Sequence, residues 1–146
     1  MMKIKENLLF MGCLLFAFST LLSQDEIVGV WDKSDGKGKM EIYKSSDGKY
    51  FGRILTVSER FYKNGQPPVD HLNPSTKLQT RPVIGITCLT NVCYTQSNQW
   101  TKGTIYDPEK GKYFPCEFWL ADNGKTLKMK GYWGVLYETH QWGRVN

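Results

Sequence analysis

The sequence predicts an all-β fold, an eight-stranded antiparallel up-and-down (meander) barrel, and three observations lead there. Turn signals recur at short intervals, at Asp35-Gly36, Asp47-Gly48, Asp107-Pro108-Glu109-Lys110-Gly111 and Asp122-Asn123-Gly124. Each supplies a positive φ, or a φ preset near about −65°, where a chain reverses. Between the turns, side-chain character alternates with period two. Met40 and Ile42 alternate with Lys39 and Glu41, and Leu127 and Met129 with Lys128 and Lys130; that is the period of half-buried strands. The third observation is the pair of chain ends, Gly29-Val30-Trp31 and Gln141-Trp142-Gly143-Arg144, which carry the small, aromatic and cationic residues suited to a seam.

Residues 1–23 read as an export signal. Lys3 and Lys5 precede an apolar run from Leu8 to Leu22, and Ser23-Gln24-Asp25 follows with small and polar residues. The run is shorter than the ~20 residues a spanning helix needs, so cleavage near Ser23 is expected, with no membrane span in the mature chain and a periplasmic or extracellular location. Bulky Phe10-Met11-Gly12 before Cys13 argues against a lipid-modified cysteine. The remaining segment, 24–146, has the length of one domain. The leader takes with it Lys3, Lys5 and Glu6, so the overall charge of +5 falls to +4. A mild positive charge without a dense basic run gives no case for nucleic acid.

The strands fall in order at 28–33, 37–44, 49–57, 82–89, 98–106, 112–120, 125–133 and 137–145. Neighbours in sequence should be neighbours in space. An open meander would leave two bare edges, and closure removes both. Closure places Trp31 beside Trp142, with Arg144 one diagonal step away for stacking on an indole. One connection breaks the rhythm: 58–81 is far longer than a hairpin loop. Pro67-Pro68, Asp70 and Asn73-Pro74 suggest an ordered loop with a short helix between strands 3 and 4. Loops 33–36, 58–81, 107–111 and 133–137 must share one end of the barrel, so a cavity mouth is expected there.

Cys88, Cys93 and Cys116 remain after the leader, an odd number for an oxidising compartment. A Cys88–Cys93 disulfide would close a loop of about six residues. The alternative is three unpaired small apolar side chains.

These segments together look like the domain of unknown function 2147 family of exported bacterial proteins. The resemblance rests on Gly29-Val30-Trp31, Gly36 to Tyr43, Asp70 with Asn73-Pro74, Arg81-Pro82 with Gly85, Trp100 with Ile105 to Pro108, Leu127 to Tyr132 with Gly134, and Trp142 with Arg144. It implies no catalytic or binding residues, and the three cysteines are not part of the pattern. More distantly, the layout resembles avidin-like barrels of the calycin group, whose long loop between strands 3 and 4 covers the ligand. Ile54 stands where that resemblance expects a hydrogen-bonding tyrosine, and the tryptophan expected near Thr90 is missing; biotin is therefore not expected.

No Gly-x-Ser-x-Gly elbow is present, and His71 and His140 lack the close histidine partners that metal sites use. No cofactor and no metal are expected. The expected function is binding of a small apolar molecule or lipid fragment inside the barrel, lined by Met40, Ile42, Ile54, Trp100, Phe114, Phe118, Leu127 and Met129. A competing reading has a solid interior and a protein partner held by Tyr113, Trp119 and Tyr132 on the outside. An enzyme acting at the mouth through Asp70, His71 and Arg53 is the third.

Overall fold

The computed structural model describes residues 23–146; the export signal expected over residues 1–23 lies outside them except for Ser23. Eight antiparallel strands, β1 (Gly29–Lys33), β2 (Gly38–Lys44), β3 (Tyr50–Val57), β4 (Thr87–Gln96), β5 (Gln99–Asp107), β6 (Lys112–Ala121), β7 (Thr126–Trp133) and β8 (Leu136–Arg144), pair in sequence order. β8 then pairs with β1 and closes the barrel. Alternation decides the faces: Phe114, Cys116, Phe118 and Leu120 point inward from β6, opposite Leu127 and Met129 of β7.

The seam differs from expectation by two residues. Trp31 stands opposite Arg144, and Lys33, not Trp31, opposite Trp142. A shift of two keeps every side chain on its face; its size follows from the stagger of all eight strands, which no local residue specifies. The Arg144 guanidinium lies 4.2 Å from the centre of the Trp31 ring. It also donates to the carbonyls of Gly124 (2.9 Å), Val28 (3.1 Å) and Glu26.

β4 is the second difference. It begins at Thr87, not residue 82, and runs to Gln96 through a segment expected to be a loop. A two-residue turn, Ser97-Asn98, joins it to β5, with Asn98 at φ 59°. The long connection therefore spans 58–86. Its helical content is two 3-10 turns, Glu59–Phe61 and Thr76–Leu78.

This geometry overturns the Cys88–Cys93 bridge. Both residues lie on β4, five positions apart, on the order of 15 Å at the rise of a strand, far beyond disulfide reach. All three thiols are free. Burial pushes the Cys88 and Cys116 thiols up to about 12.

Candidate functional site

The barrel interior divides into a packed half and a hollow half. At the end holding the 45–48 and 121–125 turns, Trp31, Ile42, Tyr50, Leu89, Val92, Trp100, Phe118 and Leu127 are fully buried. The segment Gln24–Val28 seals that end. The indole N–H of Trp31 donates to the Ile27 carbonyl (2.9 Å) and that of Trp100 to Gln24 (3.0 Å), and the Tyr50 hydroxyl donates to Asp25 (2.7 Å). Polar ends of large aromatics thus find partners while their rings fill the core.

At the other end lies a cavity of about 820 Å³, well within the range of small-molecule sites. Its walls are Met40, Ile54, Ile105, Phe114, Met129, Trp133 and Trp142, with Phe61, Val69 and Val83 contributed by the 58–86 connection. Four of the eight expected lining residues, Met40, Ile54, Phe114 and Met129, do line it. The other four, Ile42, Trp100, Phe118 and Leu127, do not: they point inward as expected but lie deeper, in the packed half. Alternation gives the face of a side chain and not its depth.

The mouth is polar. Lys37 forms an ion pair of 2.6 Å with Glu109, tying the β1–β2 turn to the β5–β6 turn, and Lys33 pairs with Asp35 at 3.2 Å. The hydrogen bond to Glu109 raises the Lys37 pKa. From β8, Glu138, His140 and Trp142 project inward in a column; Glu138 lies 3.5 Å from His140. His140 meets Trp142 edge-on, with ring centres 6.2 Å apart, and Lys33 stands 5.9 Å over the same indole. Loss of hydration, followed by the nearby Lys33 charge, lowers the His140 pKa despite Glu138. The sequence reading does not place Lys33, Ile105, Trp133, Glu138 or His140 at the cavity. Period-two alternation from Trp142 back through His140 to Glu138 was the signal available.

The 58–86 connection is fastened to the outside of β5. Asp70 is fully buried. Its carboxylate accepts from the Tyr106 hydroxyl (2.6 Å), Asn73 Nδ2 (2.8 Å), Arg81 Nε (2.9 Å) and Arg81 Nη2 (2.8 Å). Three of these donors converge on Oδ2 and one on Oδ1. Further along, the Ile54 N–H donates to the Ile86 carbonyl (2.9 Å) and the Gly85 N–H to the Ile54 carbonyl (2.7 Å). Gly111, at φ 61°, packs so close to the Leu72 carbonyl that a Cβ there would collide with it. The connection is thus held at several points along one rim of the cavity.

Asp70, His71 and Arg53 do not converge. Asp70 is consumed in the clamp, His71 is exposed at the mouth, and Arg53 pairs with Glu41 at 2.5 Å on the outer wall. Among the outer aromatics, Tyr113 is exposed, while Trp119 and Tyr132 are half-buried. The Tyr132 hydroxyl donates to Glu117 at 2.6 Å. Among the described residues, no three His, Cys, Asp or Glu side chains gather as a metal site would require.

A closed eight-stranded meander with one end packed and the other hollow defines a calycin-type barrel. A solved structure with this architecture, described as "Protein HP1028 from the human pathogen Helicobacter pylori belongs to the lipocalin family", superposes with a TM-score of 0.71. It covers 82% of this chain and 83% of its own, at 20% identity, which is a likeness of fold. No curated protein is detectably similar. Residues 29–144 match the family described as "Uncharacterized protein conserved in bacteria (DUF2147)", and the chain belongs to that family.

Proposed function

We propose that this protein is an exported carrier or sensor of a small, largely apolar molecule or lipid fragment, held in the hollow half of the barrel. The observation that carries the reading is the cavity of about 820 Å³ with apolar walls and a mouth ringed by charge. Apolar walls favour burial of hydrocarbon at about 0.8 kcal/mol per methylene. The charged mouth suits a ligand with one polar end left near water. Met40, Ile54, Phe114 and Met129 are the proposed contacts, joined by Ile105, Trp133 and Trp142. Export fits the leader read in residues 1–23 and the mature segment 24–146.

Native mass spectrometry of protein purified from its own source tests this. A retained adduct of one mass class, released by organic solvent, is the expected result. An empty protein that also fails to take up fluorescent fatty-chain probes would refute it.

A further inference from the structure

The turns at the two ends of the barrel differ in chemistry. At the packed end every turn is polar: Ser45-Ser46-Asp47-Gly48, Ser97-Asn98 and Asp122-Asn123-Gly124. At the cavity end the β7–β8 hairpin turns through Gly134-Val135, with Gly134 at φ 56°, as the first position of a type II′ turn requires. Its tip is apolar and bare. Val135 is 97% exposed, Leu136 67%, Tyr137 57% and Trp133 41%. Trp133 rests edge-on against Phe114 and Tyr137 tilted against Tyr132, but packing gives no reason for Val135 and Leu136 to stand in water at the tip. Val69 and Leu72 of the long connection add exposed apolar surface, and Val69 lines the same mouth.

Cations flank this tip. Lys110 lies 4.5 Å over the Trp133 ring and Lys130 4.8 Å over that of Tyr137. Four carboxylates also stand at the mouth, and each has a lysine within reach: Asp35 with Lys33 (3.2 Å), Glu109 with Lys37 (2.6 Å), and Asp107 and Glu138 with Lys110 (3.8 and 4.0 Å). Lys63 at the mouth and Lys130 on the hairpin have no carboxylate partner among the described residues. Aliphatic and aromatic side chains bordered by lysines are the pattern of a surface that enters the boundary between acyl chains and anionic headgroups.

We propose that the Trp133–Tyr137 hairpin docks the cavity end of the barrel on bilayers containing anionic lipid. Val135 and Leu136 enter the acyl boundary while Lys63 and Lys130 face the headgroups. In that orientation the mouth faces the membrane, and an apolar molecule passes between bilayer and cavity without crossing water. The docking rests on the rim alone and is separable from cavity binding.

The test is co-sedimentation of the protein with vesicles of phosphatidylcholine alone and of phosphatidylcholine with about 30% phosphatidylglycerol, a content at which several headgroup charges fall within the reach of the rim lysines. Binding to the mixed vesicles is expected, weakened but not abolished by 0.5 M salt, which screens the lysines and leaves the apolar contact. Val135→Asp with Leu136→Asp should lower the partition coefficient at least tenfold. Ser46→Asp with Asn123→Asp, the same charge change at the packed end, should lower it less than threefold. Both variants change exposed residues, and thermal melts confirm their folding. Uptake of a water-soluble fluorescent fatty-chain probe should be unchanged in the hairpin variant, so failure of docking and failure of cavity binding are told apart. Absent vesicle binding, equal loss in both variants, equal binding to both vesicle types, or self-association through the hairpin in place of lipid binding would each overturn the proposal.

Discussion

Narrowing the hollow half should weaken ligand binding more than tenfold without unfolding the barrel, and Gly131 is the position at which to do it. Gly131 lines the cavity from β7 with ordinary extended backbone, and a Cβ there would meet only the Met129 methyl, at 3.9 Å. Gly131→Ala should therefore stabilise by about 0.5–1 kcal/mol, the conformational cost of glycine in a strand. Gly131→Phe goes further. A phenyl ring fills roughly the 150 Å³ of an apolar hole that accepts benzene, close to a fifth of the 820 Å³ present. Displacing even two methylenes of a bound chain costs about 1.6 kcal/mol, more than tenfold in Kd. Gly103 is the control, because it shares a row with Gly131 across Cys116 but faces packed atoms. A Cβ on Gly103 would stand 2.7 Å from Val92 Cγ2 and 2.9 Å from Cys116 Sγ. Gly103→Ala should cost about 1–3 kcal/mol by overpacking, partly offset by the glycine term. Urea unfolding followed by tryptophan fluorescence gives the stabilities, and displacement of a fatty-chain probe gives the affinities. If Gly131→Phe destabilises by more than about 1 kcal/mol, the range of an overpacked core, or binds probe as tightly as the parent, the void is not where the ligand sits.

His140 should titrate below its ordinary value of 6.5 in imidazole NMR. The unfolded chain then takes the proton more readily. Stability should be level above pH 6.5 and fall as pH drops from 6.5 toward the folded value; a His140 titration at or above 6.5 contradicts this. Of the three thiols in residues 24–146, half-buried Cys93 alone should react quickly with an aromatic disulfide reagent, since burial holds Cys88 and Cys116 up at about 12; three fast thiols would refute that. Asp70→Ala strands Arg81 and the Tyr106 hydroxyl. It should cost about 3 kcal/mol, the low end for a broken buried pair because Arg81 remains one-third exposed. Limited proteolysis should then cut within 58–86; unchanged stability and protection would mean the clamp does not hold the connection.

The parts of the fold that local chemistry determines were legible. Asp35-Gly36, Asp47-Gly48 and Asp122-Asn123-Gly124 do reverse the chain, and alternation gave the inward face of β2, β6 and β7. β4 was misplaced because Thr90, Asn91, Thr95 and Gln96 are polar, and because Asn91, at φ 59°, breaks the alternation. Its closing turn, Ser97-Asn98, carries no glycine. The apolar Pro82-Val83-Ile84 looked like a strand but packs as the end of the connection, where Val83 donates to the Pro68 carbonyl. The site was half legible. Met40 and Met129 line the cavity, whereas Ile42 and Leu127, one inward step deeper, are core. Depth depends on the stagger of the whole barrel and on Gln24–Val28 sealing one end, neither of which has a local signature.

Methionine methyl NMR tests the occupied cavity most directly. Within residues 24–146 the only methionines are Met40 and Met129, both in the cavity wall, so carbon-labelled protein of that segment gives two methyl signals that report from inside the hollow half. Titration with a medium-chain fatty probe should move both signals together and saturate at one probe per barrel. Two methyl signals that stay fixed while the probe binds would place the ligand elsewhere and contradict the central claim.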